Sequence, residues 1–209
     1  MKFNPKFSRF SNIRTDKIPQ EITLEDFLKE VRSDSHKATC DFLRTSKDSV
    51  KAKEKKNNLP CVTLSAICTG GHGRKNMSSY SSLIQLDFDL SKNKHFADRT
   101  AKFLAHFNLS RAPHVVSVFE SPSGGLKAIV LSEAKNFDEH KLGFEAAQMW
   151  ATELGLKGDP AVSDPSRAFF LSHDPCAHMA TNIELLDREI EGSEYDEESG
   201  RHYRALPFV

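Results

Sequence analysis

Apolar residues recur along this chain with two different periods, and the switches between them predict its elements. "ITLEDFLKEVRSD" sets Leu24, Phe27, Leu28 and Val31 at helical spacing. Thr23 with Asp26 resembles a capping box at its start, with aspartate in place of the usual Glu or Gln. A second helical stretch starts near Ser35 and carries Ala38, Phe42 and Leu43. After Pro60, "CVTLSAIC" reads as a strand, "TGGHGRKN" as a glycine-rich loop and "YSSLIQLDFDL" as a second strand. "HFADRTAKFLAHFNL" repeats Phe96, Leu104 and Phe107 at helical spacing. "HVVSVFES" and "LKAIVLSE" are strands joined by the tight turn "PSGG", so the pair predicts a hairpin. "FDEHKLGFEAAQMWATELGL" predicts a long amphipathic helix with Leu142, Ala146, Met149 and Trp150 on one apolar face, Trp150 in the core. "RAFFLSHD" is a fifth strand and "NIELL" a candidate sixth. The fold class expected is α+β, a mixed or antiparallel sheet with helices packed on it.

Organisation follows from where this pattern fades. Residues 1–20 are polar with scattered phenylalanines and read as an extended arm, and residues 21–187 as the domain. From 188 onwards the chain turns acidic and aperiodic, as in a tail or a linker to a further domain. At 209 residues a core is within reach without disulfides or a structural metal. The formal net charge is zero, so any site for a polyanion must be a local patch. "KAKEKKNN" is such a basic run, although a solvated helix end or loop is a better reading of it than a dedicated nucleic-acid surface. No apolar stretch approaches the roughly 20 residues of a spanning helix, and "MKFNPKFSRFSN" lacks the apolar centre of a signal peptide. Cys40, Cys61, Cys68 and Cys176 form no CxxC pair. A cytoplasmic protein with free thiols and no membrane partner is expected.

Three segments carry candidate chemistry. In "LIQLDFDL" two carboxylates, Asp87 and Asp89, interrupt an apolar strand, and strand alternation turns both to one side with Phe88 on the other. Either the strand ends there in water, or something positive lies between them. Hard oxygen ligands of this kind suit Mg²⁺ or Mn²⁺. In "SPSGGLKAIV" the amides of a Gly-Gly turn form an anion cradle, Ser121 and Ser123 add hydroxyl donors, and Lys127 adds a point charge. "GDPAVSDPSRAFFLSHDP" offers Asp159, Asp164 and Asp174, with Arg167 able to fork onto a triphosphate. "SHDPCAH" gathers His173, Asp174, Cys176 and His178, but no second ligand pair accompanies it, and a surface turn is the better reading. "TGGHGRKN" lacks the Gly-Lys-Ser/Thr ending of a Walker loop.

In order and shape these segments resemble the archaeo-eukaryotic primase (primase-polymerase) superfamily, and more closely its VirE N-terminal-like branch of bacterial and phage or mobile-element proteins. "LIQLDFDL" is similar to the acidic pair, "SPSGGLK" to the small-residue turn motif, and "GDPAVSDPSRAFF" to the later acid before a strand. The resemblance covers roughly residues 59–186 and implies a sheet core of the RRM-like catalytic type. It implies Asp87, Asp89 and Asp159 as ligands of a two-metal Mg²⁺ or Mn²⁺ site, with Asp164 the alternative third acid. Ser121, Ser123, Gly125, Lys127 and Arg167 would bind the NTP or dNTP, and Arg74 and Lys75 would face nucleotide or a single-stranded DNA or RNA template. The implied activity is two-metal nucleotidyl transfer for replication of bacterial or mobile-element DNA. The alternative is an inactive nucleic-acid- or nucleotide-binding module serving an attached helicase or partner. One departure stands out: Lys127 occupies the place of the family's histidine, and a lysine is a point charge with no ring to orient.

Overall fold

The computed structural model describes residues 3–14 and 18–180, together with two short strands at 194–196 and 201–203. In chain order the elements are β1 (Lys6–Phe10), β2 (Gln20–Thr23), α1 (Leu24–Arg32), α2 (Lys37–Thr45), α3 (Ser49–Asn57), β3 (Cys61–Thr63) and β4 (Ala66–Cys68). There follow β5 (Met77–Tyr80), β6 (Leu83–Phe88), α4 (Arg99–Ser110), β7 (Val115–Glu120), β8 (Leu126–Leu131) and α5 (Phe137–Glu153). Short strands β9 (Phe169–Phe170), β10 (His178–Met179), β11 (Glu194–Asp196) and β12 (Arg201–Tyr203) complete the list.

Two four-stranded sheets organise these elements, in the orders β2-β1-β3-β9 and β10-β7-β8-β6. All of their pairings are antiparallel. The expected α+β class is therefore observed, with helices packed on antiparallel sheets. Alternation along β6 assigns the layers. Leu83 faces a core shared with Phe7, Val62 and Phe169 of the first sheet and Phe27 of α1. Ile84, Leu86 and Phe88 face a second core shared with Phe144, Ala147 and Ala151 of α5 and Leu109 of α4. The second sheet thus lies between the first sheet and the pair α4/α5, apolar on both faces as a central layer must be.

Local signals were reliable where they were self-contained. Thr23 caps α1, its hydroxyl accepting from the Asp26 amide while Asp26 reaches back to the Thr23 amide. The hairpin β7–β8 forms as expected around residues 121–125. Of the two strands expected upstream, the first is broken in two, and the second starts later than expected, after a separate strand that takes in only its Tyr80. β3 and β4 are separated by Leu64 and Ser65, and β5 and β6 by Ser81 and Ser82, with Ser82 at φ 63°. The breaks let β4 and β5 pair with each other around the glycine-rich loop, while β3 and β6 enter different sheets.

The expected arm at residues 1–20 needs correction. β1 lies inside the first sheet between β2 and β3, with Phe7 and Phe10 at 0% and 1% exposure. Its two phenylalanines are three residues apart and so face opposite sides, and in a polar setting this conceals a strand buried on both faces. The helix faces also differ from expectation. On α5 the buried stripe is His140, Phe144, Ala147 and Ala151, whereas Leu142 and Met149 are exposed. On α4 the sheet-facing residues are Ala105 and Leu109, and Phe103, Leu104 and Phe107 are exposed. Small residues win these positions because they bring the helix close to the strands. A Cβ on Gly143 would stand 2.8 Å from Ile84 Cδ1. "NIELL" and most of the acidic segment from 188 lie outside the described residues.

Candidate functional site

The site is built from the last residues of β6. Asp87 lies directly opposite Lys127 in the β6–β8 register, so both side chains leave the sheet on the same side, toward the first sheet. Lys127 Nζ donates to Asp87 Oδ2 at 2.7 Å and sits 3.8 Å from the centre of the Phe169 ring. That ring belongs to β9, so the ammonium bridges the two sheets through a carboxylate and an aromatic face. The Lys127 side chain is 4% exposed and that of Asp87 18%. Burial pulls the Lys127 pKa below its ordinary value, and the charge and hydrogen bond of Asp87 only partly offset this. Asp87 Oδ1 is buried and, among the described residues, accepts no hydrogen bond. Both alternatives raised by the sequence therefore hold, one for each acid: Asp87 has a cation beside it, and the strand ends before Asp89.

Asp89 stands in the turn that follows. Its carbonyl accepts from the amides of Lys92 and Asn93 and from the Asn93 side chain. Asn93 is buried and spans to the third segment, donating to the Lys157 carbonyl and accepting from the Lys157 amide. Two residues on, the Asp159 amide donates to the Asp87 carbonyl at 2.8 Å. This sheet-like contact joins segments seventy residues apart and sets Asp159 beside the acidic pair. The Asp159 carboxylate accepts from Lys92 Nζ at 3.1 Å and from the Ala161 amide. Burial pushes its pKa up, but Lys92, the Ala161 amide and the charge of Arg167 outweigh this and hold it below the usual carboxylate range. The alternative acid, Asp164, is engaged elsewhere: it caps Ser166 and pairs with Arg74 at 3.5 Å. Among the described residues, no three His, Cys, Asp or Glu side chains are gathered closely enough to hold a metal ion. The expected acids are neighbours, with Asp87 and Asp159 each turned to its own lysine.

The turn at 121–125 is tighter than an open cradle. The Ser121 amide donates to the Gly125 carbonyl, the Gly124 amide to the Ser121 carbonyl, and the Gly125 amide to Ser121 Oγ. The amides expected to face an anion are spent inside the hairpin, a correction that follows from how sharply it turns. Gly125 is required there because a Cβ would stand 2.3 Å from the Phe88 carbonyl oxygen, and Gly124 has φ 90°. Ser123 is half-buried and Ser121 buried. Arg167 is exposed, and its carbonyl receives Gln85 Nε2, which ties β6 to the approach of β9. Arg74 lies 3.7 Å over the Phe137 ring, and Lys75 is exposed on the same loop.

Sequence reasoning missed several residues here. Lys92 and Asn93 lie just beyond the acidic pair, where a polar run of "SKNK" gave no signal. Arg44 of α2 was also missed: it donates to the carbonyls of Ser121 and His173 and pairs with Glu120 at 3.2 Å, clamping the turn from above. Lys56 of α3 stands close enough for its charge to depress Lys127 further.

The model of the BT4734-like, N-terminal domain family matches residues 54–178, more than half of the chain. The chain belongs to this family. The BT4734-like match runs from within α3 to β10 and takes in Asp87, Asp89, Lys127, Asp159 and Arg167. β1, which lies inside the first sheet, precedes the BT4734-like segment. No curated protein and no solved structure matches the chain.

Proposed function

We propose that this domain is a primase-polymerase-like nucleotidyltransferase that joins nucleotides on a single-stranded nucleic-acid template, using Mg²⁺ or Mn²⁺. The observation that carries the reading is the hydrogen bond from the Asp159 amide to the Asp87 carbonyl, which brings the third acid to the acidic strand end beside Lys127. The chemistry of the donor set suits a hard divalent cation, which would have to draw the three carboxylates together. The set's oxygens are carboxylates, and Asp87 Oδ1 is a buried acceptor without a partner among the described residues. When bound, such ions would lower the pKa of an attacking hydroxyl and neutralise charge on a leaving pyrophosphate. Asp87, Asp89 and Asp159 would hold them, and Lys92 keeps the Asp159 carboxylate in place until then. In this reading Lys127 and Arg167 would contact the triphosphate, and Arg74 and Lys75 would face the nucleotide or template. The cysteines Cys40, Cys61, Cys68 and Cys176 are all unpaired, which supports action in a reducing cytoplasm. Among the described residues no helix is long and apolar enough to cross a membrane.

The test is template-directed synthesis. Purified protein with a single-stranded oligonucleotide, NTPs or dNTPs and Mn²⁺ should give extended or dinucleotide products. These should fall by at least about a hundredfold in Asp87→Ala with Asp89→Ala, since both metal ligands are removed. Absence of products from the unaltered protein across both nucleotide classes overturns the reading. A second reading is favoured by one observation, the ion pair that already occupies Asp87. It is a module that binds single-stranded nucleic acid or nucleotide for an attached helicase or partner. Such a module would hold its oligonucleotide equally well in EDTA.

A further inference from the structure

The pair at the end of β6 raises a question of order. Asp87 is the acid best placed for a cation, yet one of its oxygens is already taken by an ammonium that is almost wholly buried. A divalent cation approaching Asp87 would meet that ammonium at close range, and the two positive charges would repel strongly in a site with little water. Lys127 cannot retreat into solvent, because Phe169 and the strands around it enclose its side chain. It can leave the carboxylate only for another anion that reaches it at the strand end, where the charge of Asp89 already acts on it.

From this geometry we infer that the site takes a divalent cation and a polyphosphate only together, with Lys127 as the coupling residue. A triphosphate oxygen draws the ammonium off Asp87 Oδ2, and the freed carboxylate, with Oδ1 already bare, then accepts the cation that the polyphosphate brings. Neither ligand alone suffices. A cation alone meets Lys127, and a polyphosphate alone leaves Asp87 buried, ionised and unpaired. Such a site prefers a metal–nucleotide complex to either component, in keeping with Mg²⁺ being held by one or two carboxylates plus substrate phosphates. Lys127 here contacts the polyphosphate itself, and its effect on the cation is set by what it releases. The inference rests on the nucleotide reading above, but it concerns binding and not turnover.

Two binding measurements test it. In the unaltered protein, a fluorescent non-hydrolysable nucleoside triphosphate, followed by anisotropy, should bind at least about tenfold more tightly with Mg²⁺ than in EDTA, within the usual range of coupling between two ligands. Mn²⁺ alone, followed by the loss of its free electron-paramagnetic-resonance signal, should bind the unaltered protein poorly. Lys127→Gln should bind Mn²⁺ alone about tenfold or more tightly, a gain that a purely structural lysine would not give. Lys127→Gln with Asp87→Asn should lose that gain. Should Lys127→Gln not fold, the Mg²⁺ dependence of the unaltered protein decides alone. Equal nucleotide affinity in Mg²⁺ and EDTA overturns the inference, as does tight Mn²⁺ binding by the unaltered protein without nucleotide. Coupled binding without synthesis would retain the inference and remove the catalytic reading; synthesis with uncoupled binding would do the reverse.

Discussion

Two aspartate–lysine pairs stand a few residues apart at this site, and they are opposites. Asp87 and Lys127 face each other across paired strands, with side chains 18% and 4% exposed. Asp159 and Lys92 meet between two loops, at 26% and 41%. The first pair is fixed by sheet register and by an aromatic ring, the second only by the reach of a flexible lysine. Burial makes each charge of the first pair dependent on the other, because the enclosed ammonium recovers no water if its partner is lost and the carboxylate recovers only part of it. The second pair can dissolve into solvent at little cost. Similar chemistry therefore serves different ends: one pair is a constraint, the other an adjustable contact.

The comparison breaks most visibly at Lys127. Lys127→Met should lower the unfolding free energy by about 3–5 kcal/mol, because it leaves a buried carboxylate unpaired. Lys127→Met with Asp87→Leu should recover most of that loss, as apolar replacements of buried pairs often do. Urea unfolding of both variants reads the difference. A loss of equal size in the double variant would show that the lysine acts through packing and not through charge.

Acid sharpens the same contrast, since a buried ionisable group without a partner simply gives up its charge. His140 is 1% exposed with neither ring nitrogen hydrogen-bonded, and burial brings its pKa down to about 4. Burial brings His114 down to about 4 as well. An unfolded histidine takes up its proton near pH 6.5. The unfolded chain therefore binds more protons than the folded one between about pH 6.5 and 4, and stability falls as the pH drops through that window. The loss should approach roughly 3 kcal/mol per histidine at its lower end, and His140→Gln should reduce the slope of stability against pH. The smallest effect belongs to the exposed pair. Lys92→Ala should cost less than about 1 kcal/mol, and the difference should shrink further in molar salt.

Much of this was legible in the chain because it was local. The Thr23 cap, the hairpin around Gly124 and Gly125, and the oddity of two acids in an apolar strand each depend on a few adjacent residues. The partner of Asp87 was named among the candidates, but as a ligand for an anion. Its pairing with Asp87 depends on the β6–β8 register, set by a connection of nearly forty residues that no window reveals. The faces of α4 and α5 differ from the apolar spacing for another reason. Large apolar side chains were weighed more heavily than Gly143, Ala147 and Ala151, although the small residues decide how near a helix can lie to a sheet. Lys92 and Asn93 escaped notice because their work is done across a gap in sequence, against residues 157 and 159.

The position of β1 carries a consequence for how the molecule is made. This strand is bounded by β2 on one side and by β3 on the other, and β3 in turn waits for β9 at Phe169–Phe170. A nascent chain leaving the ribosome can pair β1 with β2 early, but the sheet cannot close until nearly all of the domain has emerged. Until then Phe7 and Phe10 have no settled cover and the free edge of β3 is open to other strands. Slow translation ahead of residue 169 would lengthen that exposure, so synthesis speed over this stretch should govern how much protein escapes aggregation.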